Sequence, residues 1–282
     1  MSAAASDKAA PAGKPSRRRR AGFQTRRFPG LPTISAVFFA YLYLPIAILV
    51  ALSFNANRTA TIWTDFTTDW YVRALANDDM IQAAVNSLII AASAMTLATV
   101  LATLAALGMS RRRFKGRTGV TALLSLPLIV PEIVTAVATL LFFVALGLQL
   151  GLMTVILAHT VFCIPFAYLP IRARLEDMDP ALREAAADLY ANEWRSFVRV
   201  ILPLLFPGIL SGAMLAFIIS LDDFVITFFT AGAGSTTLPV YIFSLIRMGV
   251  TPEVNAISAM MLLISISFVT RSFVLASGKH RI

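Results

Sequence analysis

Three acidic residues lie inside long apolar stretches of this 282-residue chain: Glu132 in LPLIVPEIVTA, and Asp222 and Asp223 in SLDDFVITFF. An acid at the centre of a lipid bilayer costs about 3 kcal/mol, so three that faced lipid would cost roughly 9 kcal/mol. Neither stretch contains a Lys or Arg that could pair with them. We therefore expect the carboxylates to face a water-filled pathway or partner helices, an arrangement that suits a cationic substrate. A proton relay through the acids is the alternative.

The sequence around Glu132 favours a break in the helix that carries it. Pro127 and Pro131 remove backbone donors and free carbonyls, which membrane proteins tolerate where the backbone lines a cavity. Glu132 then either follows the break and faces the pathway, or begins a helix near the outer surface. On a continuous helix, Asp222 and Asp223 would point about 100° apart. At most one is then expected to face the pathway squarely, with the other capping a helix end or meeting a partner subunit.

The remaining residue types give no sign of catalysis. His159 has no second His or Cys at metal-ligand spacing, so we interpret it as a packed interior residue, and the single cysteine, Cys163, as a core residue. The sequence contains no Walker-type glycine loop, nucleophile elbow or metal-ligand cluster. We therefore predict that the chain alone is not an enzyme and binds no cofactor or metal itself.

These residues are carried by six apolar blocks of roughly membrane-spanning length. The composition, with 58% hydrophobic residues and a mean hydropathy of +0.77, is that of an integral membrane protein in a lipid bilayer. The blocks cover approximately residues 33–53, 81–109, 120–146, 153–171, 202–229 and 254–276. The sequence thus predicts an all-α fold with six transmembrane helices and a membrane domain over 33–276.

Basic residues set the orientation of the blocks. Eight Lys and Arg lie in the N-terminal tail, five after the second block, five in the segment 172–203 and two at the C-terminus, but only three in the other connections. The positive-inside rule therefore places both termini and segment 172–203 in the cytoplasm. We predict that residues 1–32 form a disordered basic tail and that 277–282 form a short cytoplasmic tail. The net charge of +9 is a topology signal and requires no nucleic acid.

The polar segment 172–203 predicts two short amphipathic helices. Apolar residues repeat at i, i+3, i+4 and i+7 in two runs: Leu182, Ala185, Ala186 and Leu189, then Trp194, Phe197, Val198 and Ile201. Asp179 with Pro180, and then Asn192, are placed to cap these helices. Joined by a tight turn, the helices would form a ridge that fits a groove of a partner protein. A surface hairpin that binds lipid is the alternative.

Within this segment, EAAADLYANEWRSFVRVILPLLFPG resembles the EAA loop of the membrane-spanning subunits of ATP-binding-cassette (ABC) importers. The matching residues are Glu184, Ala185, Ala186, Val200, Leu202 and Pro203. Tyr190 stands where that family has a glycine, which adopts a positive φ at low cost, and Asn192 is the alternative position for the turn. The resemblance implies that the loop docks a cytoplasmic ATPase and couples ATP hydrolysis to transport.

Other segments resemble the second permease subunit of spermidine/putrescine ABC importers. They include YLYLPIAILVALSFN, LPLIVPEIVTA and LDDFVITFFTAG, and the resemblance covers about residues 33–276. It implies a type I importer fold in a bacterial plasma (inner) membrane, with a second permease subunit, a homodimeric ATPase that binds ATP and Mg²⁺, and an extracytoplasmic polyamine-binding protein. It also implies that Glu132, Asp222 and Asp223 belong to the polyamine pathway, with Glu132 in place of the family's aspartate.

Two other functions remain open from the sequence. The same machinery could carry another small cation or an amino-acid-like solute, because the resemblance includes scaffold motifs as well as the acids. A cation-coupled secondary transporter would need no ATPase and would have inverted repeats. We find no convincing internal repeat, and such a transporter has no use for an EAA loop. Co-purification with an ATPase would separate the two classes.

Overall fold

The computed structural model describes residues 30–57, 59, 62–111, 115–179, 181–190, 192–249 and 251–278. Over these ranges the chain is almost entirely helical, apart from an isolated bridge between Asn55 and Phe66. The helices are α1 (Leu31–Leu52), α2 (Asp69–Leu75), α3 (Asp78–Arg111), α4 (Arg117–Ile129), α5 (Glu132–Ala145), α6 (Leu152–Glu176), α7 (Ala181–Asp188), α8 (Glu193–Ser196), α9 (Leu202–Asp222), α10 (Val225–Thr230), α11 (Leu238–Met248) and α12 (Pro252–Gly278).

The helices provide five or six membrane spans. Five segments are long and apolar enough to cross a membrane: Leu31–Leu52, Asp78–Ser110, Leu152–Glu176, Glu193–Asp222 and Pro252–Arg271. Helices α4 and α5 together are also long and apolar enough to cross a membrane, but the pair is bent by 110°. Counted as one span, this pair raises the number to six. The all-α architecture is confirmed, and so, counted in this way, is the number of spans.

The fifth predicted block, 202–229, differs from the observed helix at both ends. The span begins at Glu193, inside the predicted polar segment, and ends at Asp222. A π-helical turn, Phe197–Ile201, joins α8 to α9, and there the N–H of Leu202 bonds to the carbonyl of Phe197. This wider turn precedes Pro203, which cannot donate a backbone hydrogen bond. The second amphipathic helix of the segment is therefore continuous with a membrane span.

The chain divides into two units, Met1–Ile46 and Ala47–Ile282. The first unit contains most of α1, a helix in which no residue is buried. The predicted basic tail, 1–32, lies outside the described residues up to residue 29, and α1 begins at Leu31. The predicted C-terminal tail, 277–282, lies outside them from residue 279.

Helices α3, α6 and α9 pack together and form the core of the second unit. α3 contributes a row of buried alanines at intervals of three or four residues: Ala91, Ala94, Ala98, Ala102 and Ala106. Small side chains at this spacing let neighbouring membrane helices approach closely. The core thereby fixes α6 and α9, the helices that carry His159, Ser220 and Asp222.

Two glycines allow the backbones of α6 and α9 to approach closely. A Cβ atom at Gly212 would lie 2.5 Å from the carbonyl oxygen of Ala167, and one at Gly208 would lie 2.7 Å from the Cβ of Arg174. Their four-residue spacing is the small-xxx-small pattern of packed membrane helices. The glycine spacing in the sequence does not specify the partner helix, so this contact is visible only in the structure.

Replacing Gly212 with alanine is expected to destabilise the subunit by about 2 kcal/mol, because the new methyl group would overlap a backbone atom that cannot rotate away. Thermal unfolding of the purified protein measures the effect. Gly108→Ala in α3 is the matched control, since a Cβ there has nothing within 4 Å and alanine favours the helix. Equal melting temperatures for the two variants would contradict the close approach of α6 and α9.

Candidate functional site

A helix break lies beside the first predicted pathway acid. α4 ends at Ile129, and Val130 and Pro131 both have an extended ψ of 133°. Glu132 follows as the first residue of α5 and is exposed. The predicted break is confirmed. Glu132 therefore both follows the break and begins a helix, two positions that the sequence analysis had treated as alternatives.

A second break separates the two adjacent aspartates. α9 ends at Asp222, Asp223 has an extended backbone (φ −66°, ψ 125°), and α10 begins at Val225. The expectation of a continuous helix through both residues, with side chains 100° apart, is therefore wrong. Asp223 is buried and Asp222 is exposed. The break gives the two neighbouring carboxylates different surroundings.

Asp223 caps the short helix that follows it. Its Oδ1 accepts hydrogen bonds from the backbone N–H of Thr227 at 3.0 Å and from the Thr227 hydroxyl at 3.3 Å. Its Oδ2 accepts a longer bond, 3.5 Å, from the N–H of Ile226. The start of a helix also attracts a negative charge. Asp223 thus has the capping position that the sequence analysis left open between the two acids.

His159 is the basic partner of Asp223. Its imidazole is buried in α6, and Nε2 lies 3.2 Å from Oδ1 of Asp223 and 2.9 Å from Oγ1 of Thr227. Nδ1 lies 2.8 Å from Oγ of Ser220 in α9. The interior position predicted for His159 is confirmed, but its partner could not be predicted, because Asp223 is distant in the chain. A polar ring within a membrane helix was the available signal, since such residues require polar partners.

Glu132 completes this group of polar residues. α5 packs against α10, and this packing brings the Glu132 carboxyl group beside that of Asp223. We call these residues the junction cluster: Glu132, His159, Ser220, Asp223 and Thr227. The cluster lies where the break after α4 meets the break after α9.

Asp222 faces a different space, which we call the Asp222 cavity. This cavity has a volume of about 550 Å³ and lies between α9, α11 and α12. Most of its lining is apolar, and includes Phe224, Ile242, Phe243 and Met261. Of the three predicted pathway acids, Glu132 and Asp223 therefore come together in the junction cluster, and Asp222 lines the cavity.

Aromatic rings border the Asp222 cavity. The ring centroids of Phe224 and Phe243 are 4.6 Å apart. The guanidinium carbon of Arg247 lies 4.8 Å from the centroid of the Phe243 ring, a distance at which a cation is attracted to the ring face. A carboxylate beside phenylalanine rings can bind an ammonium group together with the methylene chain attached to it.

The predicted short helices of the segment 172–203 are present as α7 and α8, and their caps are confirmed. Oδ1 of Asp179 accepts a hydrogen bond from the N–H of Ala181 at 2.9 Å. Oδ1 of Asn192 accepts one from the N–H of Arg195 at 2.8 Å. Pro180, predicted beside the first cap, lies outside the described residues.

The turn between α7 and α8 lies at Tyr190 and not at Asn192. Tyr190 has φ +54°, in the left-handed region, whereas Asn192 has φ −67° and ψ 163°. The alternative that Asn192 takes over the turn is therefore wrong. A side chain with a Cβ in this region costs roughly 1–2 kcal/mol, which glycine at the same place would avoid.

The turn presents an exposed apolar surface, which we call the loop ridge: Leu189, Tyr190 and Trp194, with 81%, 95% and 71% of their surfaces exposed. In the preceding helix Ala185 is exposed and Ala186 is buried. Glu184 lies in α7, although its side chain is outside the described part of the chain. Pro203 lies in the first turn of α9.

Tyr190→Gly is expected to stabilise the turn by about 1 kcal/mol, because relief of the positive-φ strain exceeds the entropic cost of glycine. The measurement is thermal unfolding of the purified subunit, together with the yield of assembled complex. Asp188→Gly is the control, since Asp188 lies in α7 and glycine in a helix destabilises it by about 1 kcal/mol. A severe loss of assembly in Tyr190→Gly would indicate that the tyrosine ring makes a required contact.

The fold and these sites define a class of protein. Two interrupted helices meet at buried polar groups, a carboxylate faces a cavity within the membrane domain, and a loop of short helices exposes an apolar ridge. Broken helices and acids at membrane depth are typical of proteins that form a solute pathway. The chain is a membrane permease, and it belongs to the family of binding-protein-dependent transport system inner membrane components, whose model matches residues 98–277.

Curated relatives support this assignment. The chain is 44% identical over 236 residues to the spermidine/putrescine transport system permease protein PotC of Haemophilus influenzae, covering 84% of this chain and 92% of the relative. It is 39% identical over 243 residues to PotC of Escherichia coli, covering 86% and 92%. It is 41% identical over 243 residues to the putrescine transport system permease protein PotI of Escherichia coli, covering 84% and 86%. The chain is thus a non-catalytic permease subunit.

Solved structures share the fold. A bacterial ABC transporter involved in the import of the acidic polysaccharide alginate matches with a TM-score of 0.69 at 18% identity, covering 88% of this chain and 93% of that one. An amino acid ABC transporter with histidines matches with a TM-score of 0.59 at 17% identity, covering 75% and 99%. At these identities the likeness concerns the fold alone, which is that of ABC importer permeases.

Proposed function

We propose that this chain forms part of the translocation pathway of an ATP-driven importer of polyamines such as putrescine and spermidine. The observation that carries the proposal is the Asp222 cavity, in which an exposed carboxylate stands beside phenylalanine rings. The relatives named for spermidine and putrescine transport support the same class of substrate.

The chemistry of the Asp222 cavity fits a polyamine. Such a molecule carries ammonium groups separated by methylene chains, and each ammonium needs a counter-charge or an aromatic face when it leaves water. Asp222 supplies a carboxylate for a charge-assisted hydrogen bond. Phe224 and Phe243 supply faces that contact the methylenes or a second ammonium.

The arrangement also favours loose binding. A pathway must bind its substrate strongly enough to admit it and weakly enough to release it. Asp223 is turned into the junction cluster, where it has His159 and backbone donors as partners. Of the two adjacent aspartates, therefore, only Asp222 presents a carboxylate to the Asp222 cavity. A single carboxylate attracts an ammonium group only modestly, so the substrate can be released.

The loop ridge is proposed to dock a homodimeric cytoplasmic ATPase, and Glu184 in α7 is proposed to pair with a basic group of that partner. ATP and Mg²⁺ bind the ATPase and not this chain. The span Glu193–Asp222 runs from the loop to the cavity, a helical path of about 45 Å for 30 residues. A displacement of the loop when the ATPase closes is thus carried along one span to Asp222.

The complete importer is proposed to contain a second permease subunit and an extracytoplasmic polyamine-binding protein, in a bacterial inner membrane. Both chain termini and the loop ridge face the cytoplasm in this arrangement, because most basic residues lie beside them. The connections within 55–80 and 232–253 then face outward and receive the binding protein. Alternating closure and opening of the ATPase exposes the pathway to the two sides in turn.

Uptake of radiolabelled putrescine and spermidine by the reconstituted complex, with its binding protein, tests the proposal. We expect uptake that requires ATP and that excess unlabelled putrescine abolishes, whereas 1,4-butanediol, which has the same chain length but no charge, does not compete. Uptake of another cation or an amino-acid derivative in place of polyamines would assign a different solute. Uptake without any ATPase would indicate a secondary transporter.

A further inference from the structure

His159 connects three helices at the point where α9 is interrupted. From α6 it reaches Ser220 in the last turns of α9 and Thr227 in α10, at 2.8 Å and 2.9 Å. Its side chain is 1% exposed, and that of Asp223 is 2% exposed. A buried imidazole with both nitrogens in contact with polar groups has one orientation only, because rotation would leave a nitrogen unsatisfied.

The Asp223 carboxylate receives from this imidazole a hydrogen-bond donor that lies outside the helix it caps. Further hydrogen bonds come from the Thr227 backbone and hydroxyl and from the distant Ile226 N–H, all in the helix that it caps, and the acidic Glu132 lies beside it on α5. His159 provides a donor from a separate helix, at 3.2 Å. Arg or Lys side chains do not occur in α6 before Arg172 or in α9 and α10, so His159 is the basic residue within these spans that can serve Asp223.

We propose that His159 is a positioning residue for substrate selection, which holds Asp223 in the junction cluster so that Asp222 alone presents a carboxylate to the Asp222 cavity. This inference rests on the proposed function. Without His159, the buried carboxylate of Asp223 lacks a partner from α6, and the short connection to α10 must rearrange to solvate it. The rearrangement moves Asp222, the preceding residue, and so disturbs the cavity.

The two nitrogens of His159 can be replaced separately. The side-chain amide of asparagine reaches the position of Nδ1 and can bond to Ser220, whereas the amide of glutamine reaches the position of Nε2 and can bond to Asp223 and Thr227. If His159 acts through Asp223, His159→Gln retains most of the uptake, and His159→Asn loses about as much as His159→Ala. A role limited to joining α6 and α9 through Ser220 predicts the opposite order.

Putrescine uptake and binding-protein-stimulated ATP hydrolysis, both per assembled complex, provide the measurement. We expect His159→Ala to reduce uptake about tenfold, the scale of one unsatisfied buried group, and to change stimulated hydrolysis less than twofold. A merely structural defect would lower the amount of complex and both activities together. Thr160→Ala is the control, because the buried Thr160 hydroxyl bonds to the Ile156 carbonyl of its own helix and, among the described residues, to no side chain of the junction cluster, so it should retain wild-type uptake.

A second variant tests the same idea through Asp223. In His159→Ala/Asp223→Asn a neutral amide replaces the Asp223 carboxylate and needs no basic partner, so uptake should recover about fivefold relative to His159→Ala. Equal losses in the single and double variants, or equal uptake by His159→Gln and His159→Asn, would overturn the proposal. An absence of polyamine uptake by the wild-type complex would instead overturn the proposed function. A double-mutant cycle on thermal unfolding would then still decide whether His159 holds Asp223.

Discussion

Replacing Asp222 with asparagine is expected to reduce polyamine uptake by about tenfold or more, the scale of one hydrogen bond to a charged group. The substitution keeps the size of the side chain but removes the charge that faces the Asp222 cavity. Asp222 is exposed at the end of α9, so packing should survive and the complex should assemble normally. Uptake per assembled complex measures the effect, and ATP hydrolysis stimulated by the binding protein is expected to continue without productive transport.

The adjacent aspartate provides the matched control. Asp223→Asn makes the same chemical change one residue further on, but in the buried junction cluster, where the remaining amide oxygen can still accept from the Thr227 N–H. We expect a smaller loss of uptake than in Asp222→Asn, accompanied by a lower melting temperature. Glu132→Gln tests the third acid. Normal polyamine uptake in all three variants would refute a pathway lined by acids and favour a solute without positive charge.

Replacing Glu184 with alanine is expected to lower ATP hydrolysis stimulated by the binding protein by about tenfold, because a charge-assisted contact with the ATPase is removed. Glu184 lies in α7, directly before the loop ridge. Since its position is remote from the Asp222 cavity in the sequence and on a different helix, substrate recognition should not change. The measurement is stimulated hydrolysis per assembled complex, together with the level of the subunit in the membrane.

Two further variants show whether the charge of Glu184 is responsible. Glu184→Gln keeps the shape of the side chain and should be nearly as impaired as Glu184→Ala if the carboxylate pairs with a basic group. Asp177→Ala removes an exposed acid from the connection between α6 and α7 and should hydrolyse ATP normally. Undiminished stimulation in a properly assembled Glu184→Ala complex would exclude this role for Glu184.

Local rules predicted the elements that depend on residues near each other in the chain. The apolar lengths predicted the helical spans, and Pro131 predicted the break before Glu132, because a proline removes a donor wherever the helix lies. The caps Asp179 and Asn192 were also predictable from local sequence, because each side chain accepts a hydrogen bond from an N–H two or three residues later. Such interactions are complete within one turn and need no tertiary contact.

At Tyr190, a local rule predicted the wrong position for the turn. The cost of a positive φ for a residue with a Cβ argued for moving the turn to Asn192. The structure retains φ +54° at Tyr190, while Asn192 caps α8. The cap requires Asn192 to have an extended backbone, so the same residue cannot also provide the left-handed turn. The strain of roughly 1–2 kcal/mol is therefore accepted at Tyr190.

The sequence by itself determined that the chain is a helical membrane protein with acids that need polar surroundings, because the cost of burying a charge is a property of the residue type. Only the tertiary structure decided how that cost is met. His159 and Asp223 are distant in the chain and meet because α6, α9 and α10 pack together, with Gly212 allowing α6 and α9 to approach closely. The break after Asp222 then gives two adjacent, identical side chains opposite environments, and no pattern along the chain contains that information.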